Sequence, residues 1–220
     1  FSDIRNLQLD NFGNIYITDY YGSTGGGSKI RKVTPAGVVT TLAGSGTQGS
    51  SDGTGAAASF SWIVSSVNDS SGNIYAAESN KIRKVSPAGE VTTLAGSEVW
   101  GSVDGTGSAA SFTWITSIKL DNTGDLYVAD SNKIRKVSSA GVVSTLAGTD
   151  TSIGVDGTGS DAILGNSYGA RCIDSSGNIY IADGYKIRKV SPTGVVTTLA
   201  GSSPIYKDGI GSVARFNDIR

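Results

Sequence analysis

This sequence predicts an all-β fold, a β-propeller made of four-stranded antiparallel blades, and three observations carry that reading. Lys-Ile-Arg-Lys-Val is written four times, from Lys29, Lys81, Lys133 and Lys186. Thr-Leu-Ala-Gly follows each copy, from Thr41, Thr93, Thr145 and Thr198. An Asp-Gly-x-Gly turn then recurs at Asp52, Asp104, Asp156 and Asp208, 52 residues apart each time. A period of this length belongs to solenoids, propellers or arrays. A β-helix would repeat at a much shorter period, and separate sandwiches would need about 100 residues each. Four short strands in a unit of ~40–50 residues is the pattern of a propeller blade.

Within each unit the first strand is the least regular: Ile4 to Asp10, Trp62 to Asp69, Trp114 to Asp121, and Tyr168 to Asp174. A turn of the type Asp69-Ser70-Ser71-Gly72-Asn73 follows, its glycine supplying the positive φ that a tight hairpin needs. The second strand is Ile15–Thr18, Ile74–Ala77, Leu126–Ala129 or Ile179–Ala182, with a tyrosine on one face and aliphatic residues on the other. Apolar residues on both faces place it between neighbours. Lys-Ile-Arg-Lys-Val is the third strand. It is closed by turns such as Ser86-Pro87-Ala88-Gly89, where proline presets φ and glycine takes the left-handed position. The fourth strand, Val-Val-Thr-Thr-Leu-Ala and its variants, is rich in β-branched residues. Glu90 stands where the first copy has Val38, so this strand is expected to be the outermost, with the first strand nearest the axis. A linker carrying the Asp-Gly-Thr-Gly turn ends on an aromatic anchor, Phe60 or Phe112. The expected blades are 1–59, 60–111, 112–163 and 164–215, with 216–220 starting a further one.

The charges follow the repeat. Twelve of the 18 basic residues lie in the Lys-Ile-Arg-Lys copies. Twelve of the 19 acidic residues recur at three places: the Asp10, Asp69, Asp121, Asp174 set, the Asp19, Glu78, Asp130, Asp183 set, and the Asp-Gly-x-Gly aspartates. A formal net charge of −1 and a pI near 5.4 argue against nucleic acid, whose binding domains have a pI above ~9. The arginines are expected to pair with the Asp19-type carboxylates within or between blades. With no histidine and one cysteine, neither a zinc site of nitrogen and sulfur ligands nor a Ser-His-Asp triad can be assembled. No apolar run approaches the ~20 residues of a membrane span. Cys172 has no partner for an internal disulfide and is expected to be a small buried thiol.

The order Gly-Asn-Ile-Tyr, Ile-Arg-Lys-Val-x-Pro-x-Gly-x-Val-x-Thr-Leu-Ala-Gly and Asp-Gly-x-Gly resembles the NHL-repeat family of β-propellers over almost the whole chain. The resemblance implies four NHL-type repeats, expected to be part of a six-bladed propeller. Ser79-Asn80-Lys81-Ile82 stands where the family has Asn-His-Arg-Ile, so the histidine-bound metal of the family's lyases does not carry over. Phe1-Ser2-Asp3-Ile4-Arg5 matches Phe216-Asn217-Asp218-Ile219-Arg220, which reads as the same first-strand start in two blades. Further blades, from a longer chain or a second copy, are expected to cover the end faces.

Where the repeats disagree, partners are expected. The first unit carries a seven-residue insertion within Tyr20–Ser28, with Tyr20 and Tyr21 at its base. Trp100, Tyr168 and Tyr206 stand in linkers or at strand starts where the other copies differ. Variable loops are where repeat proteins bind, and tyrosine and tryptophan dominate binding hot spots. The Asp-Gly-Thr-Gly loops bring calcium into question, but each supplies one carboxylate where a calcium loop supplies several; tight turns without a cofactor are expected. Asn68-Asp69-Ser70 is an N-glycosylation sequon in a surface turn. Together these features predict a non-enzymatic, protein-binding scaffold module of a larger extracellular or cell-surface protein. The alternative left open is a calcium-dependent propeller hydrolase or lyase with its catalytic residues in missing blades. Of the three glutamates, Glu78, Glu90 and Glu98, none lies on a first strand to serve such chemistry here.

Overall fold

A computed structural model describes residues 3–20, 26–165, 167–217 and 219, with only the backbone described at 167–171. The first sheet consists of β1 (Ile4–Leu9), β2 (Ile15–Tyr20), β3 (Ser28–Val33) and β4 (Val39–Ala43), hydrogen-bonded in that order. The second contains β5 (Gly53–Thr54), β6 (Ser65–Asn68), β7 (Ile74–Ala77), β8 (Lys81–Val85) and β9 (Glu90–Gly96), in the order β5-β9-β8-β7-β6. The third holds β10 (Gly105–Thr106), β11 (Ile115–Leu120), β12 (Leu126–Asp130), β13 (Lys133–Val137) and β14 (Val142–Gly148), in the order β10-β14-β13-β12-β11. The fourth holds β15 (Gly157–Thr158), β16 (Ser167–Ile173), β17 (Ile179–Asp183), β18 (Lys186–Val190) and β19 (Val195–Ala200), in the order β15-β19-β18-β17-β16. The first strand lies at one edge of every sheet, as the repeat pattern anticipates. The chain forms two compact units, 1–115 and 116–220.

The fourth strand is not the outermost in the second, third and fourth sheets, where β5, β10 and β15 lie beyond it. Gly53 and Thr54 pair with Val91 and Glu90, and Gly157 and Thr158 pair with Val196 and Val195. The Asp-Gly-Thr-Gly turn folds the linker back along an edge whose backbone groups would otherwise lack partners, which is how sheets protect such edges. Gly55, at φ +57°, makes the reversal, and its N–H donates to the Gly89 carbonyl at 3.0 Å. Glu90 still reaches solvent, because a two-residue strand leaves its side chain uncovered.

In the first unit the core lies between the first two sheets. Tyr16, Ile30 and Ala43 meet Ile74, Ala76, Val85 and Val91, and Phe60 from the linker fills the space between them. In the second unit Tyr127, Ile134 and Ala147 meet Ile179, Ile181, Val190 and Val196, with Leu164 in the place of the phenylalanine. The tyrosines also tie each strand to the preceding turn. Asp69 Oδ1 accepts the Ser71 and Asn73 N–H groups, each at 2.9 Å, while Oδ2 accepts the Asn73 amide at 2.7 Å and the Tyr75 hydroxyl at 3.3 Å. Asp10 makes the same set with Phe12, Asn14 and Tyr16. This explains why aspartate, asparagine and tyrosine recur at a fixed spacing. Among the described residues no helix is long and apolar enough to cross a membrane.

Candidate functional site

The arginine of each Lys-Ile-Arg-Lys copy faces a carboxylate at the end of the neighbouring strand. Arg31 lies 3.6 Å from Asp19, Arg83 3.1 Å from Glu78, Arg135 2.8 Å from Asp130 and Arg188 2.7 Å from Asp183. The pairing anticipated from the repeat is therefore present, within one sheet in each case. Arg83, Arg135 and Arg188 are fully buried, so these guanidinium groups cannot form a surface stripe for phosphates.

The second sheet shows how the burial is sustained. Arg83 Nη2 donates to Asp52 Oδ1 at 2.7 Å, and Nη1 donates to Glu78, to Ser50 Oγ at 3.1 Å and to the Ser59 carbonyl at 3.3 Å. The guanidinium carbon stands 5.4 Å from the centre of the Phe60 ring. Glu78 Oε1 accepts the Ser61 N–H at 2.7 Å and the Ser61 hydroxyl at 3.1 Å. The Lys81 ammonium reaches both Ser50 and Glu98. Asp52 completes its set with the Thr93 N–H at 3.2 Å and hydroxyl at 3.0 Å. The fourth sheet repeats the motif: Asp156 takes Arg188 at 2.8 Å and Thr198 through both N–H and hydroxyl. The Asp-Gly-Thr-Gly carboxylate is thus the second counter-ion of the arginine that follows, a role that sequence reasoning did not assign to it.

These bonds shape the titration. Burial pushes the Asp52 carboxyl up, but the Arg83 guanidinium and Thr93 more than offset it, and the net shift is below the ordinary 3.8. Asp156 shifts the same way: burial is outweighed by Thr198 and Arg188. In Asp174 the Asn178 amide leads the lowering, with Tyr180 behind it. Asp183 goes the other way, because burial outweighs Arg188 and the Gly165 N–H. A carboxyl whose native pKa lies below its unfolded value contributes stability above that unfolded value, and loses it as pH falls through the native one. Asp183 has the opposite sign, its destabilising effect growing as pH rises through its raised value. The lowered groups outnumber it, so the unfolding midpoint is expected to hold down to about pH 4 and to fall below it. Thermal melts across that range check this, and a midpoint that rises on acidification would contradict it.

The variable aromatic residues come together in pairs. Tyr20, at the base of the insertion, stacks on Trp62 with ring centres 6.0 Å apart, and Arg5 lies 5.8 Å above the same indole. Trp100 stacks on Trp114 at 5.7 Å with planes 18° apart. Trp62, Trp100 and Trp114 stay 43%, 54% and 46% exposed. Trp62 and Trp114 were legible only as strand starts. Their shared place, two residues after Phe60 and Phe112, was the signal. Tyr206 is exposed on its linker. Tyr21 and the side chain of Tyr168 lie outside the described residues. Asn68, expected in a surface turn, is instead the last residue of β6, half-buried, because pairing with Ile74 extends the strand to it, and its amide donates to the Leu9 carbonyl at 3.2 Å.

Cys172 is exposed, not buried. It pairs with Tyr180 beside a register irregularity in β16. Two residues before the turn aspartate, the other repeats carry Gln8, Val67 and Lys119, all partly exposed. The position is an outward one that accepts polar side chains.

No known family model matches the chain. It is 31% identical to mouse Teneurin-4 over 153 residues, 62% of this chain, and 28% identical to zebrafish Teneurin-3 over the same length. The matched region spans 5% of these relatives' own length. Among solved structures, an auxiliary nutrient binding protein from Bacteroides thetaiotaomicron superposes with a TM-score of 0.69 at 17% identity, over 98% of this chain and 52% of that one. Streptogramin B lyase superposes with a TM-score of 0.59 at 15% identity, over 90% of this chain and 54% of that one. These likenesses show the fold, an all-β chain of antiparallel sheets of the propeller type.

Proposed function

We propose that this chain is a non-enzymatic interaction module, built of NHL-type repeats, within a larger extracellular protein. One observation carries the reading most: its repeated arginines are paired with repeated carboxylates inside the sheets, while the aromatic side chains that vary between repeats stand half-exposed in stacked pairs. Arg83, Arg188 and their carboxylates are engaged in internal ion pairs. Trp100 and Trp114 offer rigid, amphipathic area at low entropic cost, the usual character of a binding hot spot. The match to a small part of the teneurins supports a module of a longer protein. The Asn68 sequon supports the extracellular setting. The four blades proposed here follow the repeat boundaries at 60, 112 and 164.

The test is a binding screen of the chain against an array of ectodomains, repeated with the Trp100→Ala/Trp114→Ala variant. The expected result is at least one saturable partner, lost by about tenfold or more in the variant at unchanged melting temperature, since a hot-spot tryptophan contributes about 2 kcal/mol or more. Partners that bind the variant equally well would overturn the aromatic assignment. Calcium-dependent hydrolysis of ester or lactone substrates would overturn the non-enzymatic one.

A further inference from the structure

We propose that the cavity of about 530 Å³ beside Asp183, in the second unit, binds a neutral, hydroxyl-rich small molecule of the saccharide class. The inference goes beyond the interaction-module reading and does not depend on it. It comes from comparing the same place in two sheets.

In the second sheet one hydroxyl joins three charges. Ser50 Oγ donates to Glu78 Oε2 at 2.7 Å and accepts from Arg83 Nη1 at 3.1 Å and Lys81 Nζ at 3.3 Å. Ser61 supplies a second hydroxyl to the same carboxylate. The third repeat has hydroxyl residues at both places, Ser102 and Thr113. In the fourth repeat both are glycine: Gly154, two residues before Asp156, and Gly165, directly after Leu164. The carboxylate is Asp183, as it is aspartate in the first and third repeats (Asp19, Asp130), where the second has the longer Glu78. At Gly165 the Asp183 carboxylate itself takes the vacated place, 2.5 Å from where a Cβ would stand, while the place of the Ser50 side chain at Gly154 is left open; Gly154, Gly165 and Asp183 all line the cavity.

The charged groups remain around that point. A Cβ placed on Gly154 would lie 3.7 Å from Arg188 Nη1, 3.8 Å from Asp183 Oδ2 and 3.9 Å from Lys186 Nζ. These are the counterparts of the three groups that the Ser50 hydroxyl bridges. Lys186 uses one donor on the Gly154 carbonyl at 3.2 Å, and an ammonium has three. A ligand hydroxyl set here can donate to Asp183 and accept from Lys186, reproducing the bonds of Ser50. Asp156 and Asp183 balance Arg188 and Lys186, so neither a full anion nor a full cation is favoured. Asn217 adds an amide to the wall, and Tyr185, 41% exposed, adds a ring for an apolar sugar face. The volume falls in the ~300–1,000 Å³ range of small-molecule sites.

The experiment is a titration of the 15N-labelled chain with D-glucose, D-galactose and N-acetyl-D-glucosamine, read as amide shifts. Saturable shifts are expected at Gly154, Gly165, Asp183 and Gly184 with at least one sugar. Affinity is expected to fall about tenfold or more in Lys186→Met, the cost of one charge-assisted hydrogen bond. Tyr185→Ala, at a partly exposed position, is expected to weaken binding at unchanged melting temperature, and it serves as the test where Lys186→Met does not fold. Absence of saturable shifts with all three sugars would overturn the proposal. So would equal affinity in the folded variants, or gluconate binding more tightly than glucose.

Discussion

Replacing Arg83 by methionine is expected to cost the first unit about 3–5 kcal/mol, the range seen when one partner of a buried ion pair is removed. The reason lies in what stays behind. Glu78 is fully buried and would lose its guanidinium partner, keeping the hydrogen bonds of the Ser50 and Ser61 groups. Asp52 is half-exposed and can return to water, so it adds little to the loss. The double variant Arg83→Met/Glu78→Leu should therefore recover more than half of the stability, because it removes the stranded charge. Equilibrium unfolding in denaturant gives both values. A single-variant loss under about 1 kcal/mol would mean that the pair behaves like an exposed one, and a double variant no better than the single would place the cost in packing against Phe60 instead.

Much of this architecture was readable because each repeat states the same local chemistry. The turn from Asp69 to Asn73, the β-branched run from Val91 to Thr93 and the apolar strand from Ile74 are all short-range signals, and they place the strands. The pairing of Arg83 with Glu78 was readable too, since adjacent strands bring residues five apart in sequence together. Its partner Asp52 was not, because it lies 31 residues upstream and is delivered by a linker that folds back onto the outer edge of the sheet. The same fold-back made β5, which no run of β-formers announces: Gly53 and Thr54 are in a strand only because Glu90 and Val91 need partners. Cys172 shows the opposite error. Its residue type suggested burial, while Gln8 and Lys119 at the same repeat position already marked an outward site. In a repeat protein the column outweighs the residue. The cavity beside Asp183 follows from that rule as well, since Gly154 and Gly165 carry meaning only against Ser50 and Ser61.

Gly96→Ala is expected to destabilise the first unit by about 2–6 kcal/mol, from two separable terms. Gly96 closes the Leu-Ala-Gly of β9 at φ +97°, a conformation that costs a side-chain-bearing residue about 1–3 kcal/mol. A Cβ there would also stand 2.3 Å from the Asn80 carbonyl oxygen, 2.9 Å from Lys81 Cα and 3.1 Å from a Phe112 ring carbon. Two of these are backbone atoms, which cannot swing aside, so overpacking adds about 1–3 kcal/mol. The close approach serves the fold: without a side chain, the end of β9 lies against the start of β8 and beneath the buried Phe112 ring. Gly44 and Gly201 repeat it against Phe60 and Phe216. Gly107→Ala separates the terms, because Gly107 is at φ +58° with nothing within 4 Å of its Cβ position. That variant should lose only about 1–2 kcal/mol, the left-handed penalty alone. Denaturant midpoints of the two variants measured side by side decide the matter. Equal losses would show that backbone conformation, rather than the approach of the Asn80 carbonyl, explains the glycine at the end of each Thr-Leu-Ala-Gly.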